Sequence, residues 1–166
     1  MKKLLPLILI CITRLFGQQL NVGDTLPLGF GLPWCGNSPE ENPFVIDSFY
    51  LDSYNGNINE SGQHYVIWIN LFTSWCPYCQ TEAPYTEGYL QEYIDDGLAV
   101  VGIGWDWGLP EDCKGWAEYY ELTYPILDDA IDGTGFEMLG AGGVPHNVVL
   151  NHDMEIVYSM AGFPDE

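Results

Sequence analysis

Cys76 and Cys79 stand two residues apart in the stretch Phe72-Thr73-Ser74-Trp75-Cys76-Pro77-Tyr78-Cys79. They follow an apolar run over residues 65–72 and precede a helix-like segment. A strand feeding a helix whose first turn carries C-x-x-C is the layout of a thiol–disulfide exchange site. At a helix N-terminus, unpaired backbone N–H groups and the helix dipole favour a thiolate at Cys76. Cys79, one turn further on, can reach Cys76 to close a disulfide or to resolve a mixed one. Pro77 suits the first helical turn, where its missing N–H would have had no partner.

The elements that must position this pair can be read on either side of it. Residues 65–72 (YVIWINLF) are nearly all apolar or aromatic, as in a strand buried on both faces. Residues 77–94 predict a helix with a kink at Pro84, ended by Gly97. Residues 98–103 (LAVVGI) predict a second buried strand, and 111–122 a second helix whose acidic start suits the dipole. Residues 147–150 and 155–159 predict two more strands, joined by a tight turn at Asn151-His152-Asp153. Residues 20–64 are rich in Gly, Pro, Asn and Ser and predict an irregular segment, with 45–49 its best strand. Strand–helix–strand–helix followed by a hairpin gives an α/β fold with a central mixed sheet flanked by helices.

Four groups of residues extend this reading. Asn21-Val22-Gly23-Asp24 with Pro27 is similar to a Gly-Asp-x-x-Pro opening, and Asn70-Leu71-Phe72 through Cys79 to an active-site strand and motif. Cys76-Pro77-Tyr78-Cys79-Gln80-Thr81-Glu82-Ala83-Pro84 is similar to C-x-x-C-x-x-E-x-P, and Gly143-Val144-Pro145 to a cis-proline loop. With these, residues 20–163 resemble the thioredoxin-fold exported thiol–disulfide oxidoreductases of the TlpA/ResA type, within the redoxin (AhpC/TSA-like) group. The resemblance implies that Cys76 attacks and Cys79 resolves. Pro145 would be cis, with the Val144 backbone pairing to an extended substrate segment. Trp75 would cap one side of the site, and Pro77 and Tyr78 would line it. Glu82 matches a glutamate that takes part in proton transfer, and Asn70 replaces the buried acid of the thioredoxin branch. The family's final helix has no counterpart before the chain ends at Glu166.

Lys2 and Lys3 followed by the apolar residues 4–12 read as an export signal, too short to span a bilayer as a helix. The expected division is a signal over 1–17 and one thioredoxin-like domain over 18–166, a length able to bury a sizeable core. Cys11 falls in the signal. Beyond residue 17 the chain has 24 acidic residues and one basic residue, Lys114. Nucleic acid and anionic membrane surfaces are therefore excluded as direct partners. The expected partners are exported protein thiols and disulfides and a redox partner through which alone a membrane is met, and the expected state is a monomer in the periplasm or at the extracytoplasmic face.

Cys35 and Cys113 are single and well separated; in an exported protein they could form a structural bridge or be buried small hydrophobes. The Cys76/Cys79 pair as half of a zinc site would need a second pair or histidines with ligand spacing. Cys35, Cys113, His64, His146 and His152 offer neither, so no metal and no cofactor are expected. His146 is expected as a partly exposed strand residue after Pro145, and Trp105, Asp106 and Trp107 as a loop at the active-site end of the sheet.

The expected function is disulfide exchange with exported proteins, as a reductant, with cytochrome c maturation among its candidate roles. Two alternatives stand beside it. A peroxiredoxin-like peroxidase would use Thr73-x-x-Cys76, but the only arginine is Arg14 and Ile69 occupies the place of that class's proline. A non-catalytic binding module would leave the intact C-x-x-C and Val144-Pro145 without a role.

Overall fold

The computed structural model describes residues 19–37, 48–108, 111–140 and 142–163. The expected signal over residues 1–17, most of the 45–49 strand and the last three residues lie outside the described residues. Within the described residues, seven strands form one sheet in the order β2-β1-β5-β4-β3-β6-β7. The strands are β1 (Gly31–Gly36), β2 (Ser48–Tyr50), β3 (Val66–Phe72), β4 (Leu98–Gly104), β5 (Ile126–Asp128), β6 (His146–Leu150) and β7 (Ile156–Ala161). The helices are α1 (Pro77–Tyr93), α2 (Cys113–Tyr119) and α3 (Thr134–Leu139). β3, β4 and β5 run parallel; β6 is antiparallel to β3, and β1 to β5. The sheet is mixed.

β3 is a central strand, between β4 and β6, and its two faces pack into two cores, so its run of apolar residues follows from that position. Alternation along the strand then sorts its side chains. Ile67, Ile69 and Leu71 enter one core with Leu26, Phe30, Met138, Leu139 and Val148. Phe72 enters a second core under α1 and α2, with Ala83, Leu90, Trp116 and Ile126, and Trp68 packs against its margin. Phe72 stacks on Trp116 with ring centroids 4.6 Å apart.

α1 continues through Pro84 to Tyr93, passes into a short 3-10 turn, and ends at Gly97, whose φ of +91° is a left-handed conformation open to glycine. The second helix is shorter than the sequence predicts. It starts at Cys113 because the Asp112 side chain accepts from the Gly115 N–H and caps it there. The β6–β7 turn is built on Asn151, whose side-chain oxygen accepts from the Asp153 and Glu155 N–H groups. β1, β5 and α3 are additional to the sequence reading.

Candidate functional site

Cys76 caps α1 with its own sulfur: the Cys79 N–H donates to Cys76 Sγ at 3.4 Å. The β3 chain leaves the sheet at Phe72 and turns through Thr73–Trp75, where the Cys76 N–H donates to the Thr73 carbonyl at 3.2 Å. Ser74 fastens this turn to the next loop, since its Oγ donates to the Gly108 carbonyl at 2.9 Å and accepts from the Gly108 N–H at 2.8 Å. Both thiols are free. They are 5% and 2% exposed, so the approach to them is narrow. Burial pushes the Cys79 thiol strongly up from its ordinary value; its hydrogen bond to Cys76 adds to this, a hydrogen bond with the Thr73 backbone opposes it, and the charges of Cys76 and Glu82 add lesser upward pushes.

The Val144–Pro145 peptide is cis, and its loop faces the pair: Cys76 Sγ donates to the Val144 carbonyl at 3.6 Å. Trp75, Pro77 and Tyr78 are exposed around the sulfurs. Trp75 is tied down by a hydrogen bond from its Nε1 to Asp106 at 3.0 Å. Beside it, a cavity of about 310 Å³ runs between Trp75, Trp105, Phe136 and Val144. Trp107 is turned inward instead. Its ring lies where a side chain on Gly104 would be, and its Nε1 donates to Asp128 at 2.8 Å.

Glu82 lies one turn beyond Cys79 and is 1% exposed. Asn70 Nδ2 donates to its Oε2 and Asn147 Nδ2 to its Oε1, both at 2.7 Å. The two asparagines face each other because Asn70 and Asn147 are register partners on β3 and β6. Asn147 Oδ1 accepts in turn from Trp68 Nε1 at 2.6 Å and from Asn70 at 3.1 Å. Burial holds the Glu82 carboxyl above its ordinary value, and the two amide donors offset part of that rise.

His146 departs from the sequence reading. It is buried rather than partly exposed, because its face of β6 is the one on which its register partner Leu71 enters the core. It pairs with Leu71, on the opposite face from Asn147, and its Nε2 lies 2.9 Å from Ser159 Oγ. Cys35 and Cys113 are joined by a disulfide with Cα atoms 5.7 Å apart.

Asn147 is the site residue that sequence reasoning missed. Its signal was an asparagine opening the apolar run Val148-Val149-Leu150, two residues after Pro145.

A strand, a C-x-x-C at a helix start and a facing cis-proline loop are now in place. Residues 49–159 match the family model described as the AhpC/TSA family. The chain belongs to this family. Among curated proteins it is 26% identical over 90 residues to the thiol-disulfide oxidoreductase ResA of Oceanobacillus iheyensis, covering 54% of this chain and 46% of that protein. It is 35% identical over 63 residues to the thioredoxin-like protein YneN of Bacillus subtilis, covering 37% and 36%. The chain thus spans about half the length or less of the curated relatives it matches.

Similar solved structures include the thioredoxin domain of a thiol-disulfide oxidoreductase from Bacteroides vulgatus, with a TM-score of 0.62, 15% identity and coverage of 87% of this chain and 91% of that one. StoA from Bacillus subtilis gives 0.55, 17%, 84% and 91%. A secreted disulfide oxidoreductase from Mycobacterium tuberculosis gives 0.58, 19%, 81% and 87%. The fold is thioredoxin-like.

Proposed function

We propose that this protein is a thiol–disulfide oxidoreductase that reduces disulfides in exported proteins. The observation that carries the reading is the asymmetry of the pair. Cys76 Sγ sits at the helix start, accepts an N–H and faces the Val144 loop, while Cys79 is more buried and its thiol is pushed up. A thiolate at Cys76 attacks one sulfur of the partner's disulfide. The partner's S–S bond breaks, its bonding pair leaves on the second sulfur, and a mixed disulfide with Cys76 remains. Cys79 then gives up its proton and attacks the Cys76 sulfur. The partner leaves with both sulfurs reduced, and the Cys76–Cys79 disulfide carries the two oxidising equivalents. A second dithiol protein returns the pair to its reduced state.

Glu82 is the acceptor assigned to the Cys79 proton, directly or through water, since it follows on the same helix and its charge acts on Cys79. Trp75, Pro77, Tyr78, Val144 and Pro145 are assigned to the substrate segment. Work outside the cytoplasm is supported by the Cys35–Cys113 disulfide, which suits an oxidising compartment, by the basic-then-apolar start of the chain, and by the secreted relative. Cytochrome c maturation is one role this chemistry would serve.

The test is the reduction potential of the pair, by equilibration with glutathione or dithiothreitol buffers. A potential near the thioredoxin end of the range, about −270 mV, is expected. A value near −120 mV would make the protein a disulfide donor, and a pair that does not cycle would remove the catalytic reading.

A further inference from the structure

The cavity of about 310 Å³ beside Trp75 is continuous with the exchange site: Trp75 precedes Cys76, and Val144, whose carbonyl accepts from Cys76 Sγ, lines it too. Its volume is at the low end of the range for ligand sites, room for one side chain rather than a segment. Among the described residues, none beyond Val144 lines it. Three rings form its walls, Trp75, Trp105 and Phe136 of α3, the last two with centroids 5.3 Å apart. Trp75 and Trp105 are exposed, so large apolar faces stand open to water here. Another side is backbone. Gly142 and Gly143 line it with φ of +79° and +152°, a conformation that favours glycine and keeps side chains out of the opening.

Thr73, the first residue beyond β3, completes the lining. It is 2% exposed, and its Oγ1 is the one buried side-chain polar atom among the described residues that has no hydrogen-bond partner. A buried hydroxyl left unpaired is costly, and native proteins keep few of them.

These features define an occupant. Apolar ring faces favour an aromatic side chain in offset or edge contact. A phenylalanine or an aliphatic side chain would fill the space and leave Thr73 unpaired. Among the described residues no charged side chain lines the cavity, so a lysine or a carboxylate would lose its hydration without a partner. A phenol meets both demands, with a ring for the walls and a hydroxyl for Thr73.

We propose that this cavity is a specificity subsite that takes a tyrosine flanking the reacting cysteine of the substrate, and that Thr73 is the residue that reads its hydroxyl. The proposal rests on the disulfide-exchange reading, since the mixed disulfide with Cys76 is what brings the residue beside the substrate cysteine to the opening. Thr73 turns its hydroxyl about χ1 to the cavity side and exchanges a hydrogen bond with the phenol.

The test is a nuclear magnetic resonance titration of the full chain with acetyl-Tyr-Ser-Tyr-amide and with acetyl-Phe-Ser-Phe-amide. Serine stands in for the reacting cysteine, so binding is read without exchange. The tyrosine peptide is expected to bind roughly fivefold more tightly, the measure of one net hydrogen bond, and to move the indole N–H resonances of Trp75 and Trp105. Thr73→Val keeps the shape of the side chain and removes the hydroxyl, so it should cancel the tyrosine preference. Because that hydroxyl has no partner in the free protein, Thr73→Val should unfold at a temperature no lower than the parent. Equal binding of the two peptides overturns the proposal, as does a preference that survives in Thr73→Val, a tyrosine peptide that leaves both indoles unmoved, or a lower unfolding temperature for Thr73→Val. A tyrosine preference in a protein whose cysteines do not cycle would keep the subsite and remove the exchange reading; a cycling protein without the preference would do the reverse.

Discussion

α1 and α2 each carry a cysteine at the N-terminal end, Cys76 as the cap and Cys113 as the first helical residue, and the two are used in opposite ways. In α2, Asp112 is the cap, and its carboxylate takes the Gly115 N–H at 2.8 Å. Cys113 follows as the first helical residue and is spent on a bond to Cys35 of β1. In α1 no oxygen caps the helix, and Cys76 does so itself with its sulfur. Where a better acceptor completes the helix end, the sulfur is available for a structural cross-link. Where the sulfur is the acceptor, it stays a free thiol held by the Cys79 N–H. Loop length points the same way. The Cys35–Cys113 bond spans 78 residues, so it restricts the unfolded chain strongly. A bond between Cys76 and Cys79 would close a very small loop and constrain little, which suits a bond that must form and break.

The sharpest way to break this contrast is to exchange the roles. Cys76→Ser should abolish disulfide reduction in an insulin turnover assay, while Cys79→Ser should retain the first step and accumulate a mixed disulfide with the substrate, visible as a covalent adduct by mass spectrometry. Turnover surviving in Cys76→Ser would put the nucleophile elsewhere.

The double variant Cys35→Ala with Cys113→Ala should do the reverse. Its effect belongs to stability, on the order of 4 kcal/mol for a loop of this length in the chain-entropy account, read as a lower urea midpoint. The reduction potential of Cys76/Cys79 should remain that of the parent. A variant as stable as the parent would show that the bond closes a loop already ordered in the unfolded chain.

How much of this contrast was legible in the sequence depends on how local each part is. C-x-x-C, the apolar residues of β3 and β4, and Val144-Pro145 are contiguous signals, and all stand in the structure at the places the sequence indicates. The bridge between Cys35 and Cys113 was open, because β1 (GLPWCG) carries glycine and proline and does not read as a strand. Without β1 beside β5, nothing brings residue 35 to α2. α3 is six residues long and is fixed by Asp129, which accepts from the Gly135 and Phe136 N–H groups across a loop. The clasp on Glu82 joins residues 65 positions apart, a relation set by the β3–β6 register and by where α1 lies against it.

Asn147→Ala probes that clasp. It removes one donor to Glu82 and the acceptor for Trp68 Nε1. A buried polar group left unpaired costs about 1–3 kcal/mol, so thermal unfolding should move down by that measure, with less effect than loss of the disulfide. No change would mean that water replaces the amide.

The smallest expected effect is a pH dependence, and its sign separates the carboxyl from the thiols. Burial raises the Glu82 carboxyl above its reference of 4.5 in the folded protein. Between the unfolded and folded values the native state therefore holds more protons than the unfolded chain, and stability falls as pH rises. The stabilising contribution is complete below about 4.5 and is lost as pH climbs through the folded value, above which an ionised carboxylate must be kept in the interior. Glu82→Gln does not titrate. The stability of the parent relative to Glu82→Gln should thus decline from acid toward neutral pH and then level off, as followed by thermal unfolding across that range. Asp129, also raised by burial, is common to both proteins and cancels in the difference. Burial pushes the Cys79 thiol up, away from the acid range, so the acid-side slope belongs to Glu82. A difference that rises with pH would mean that the two asparagine donors outweigh burial.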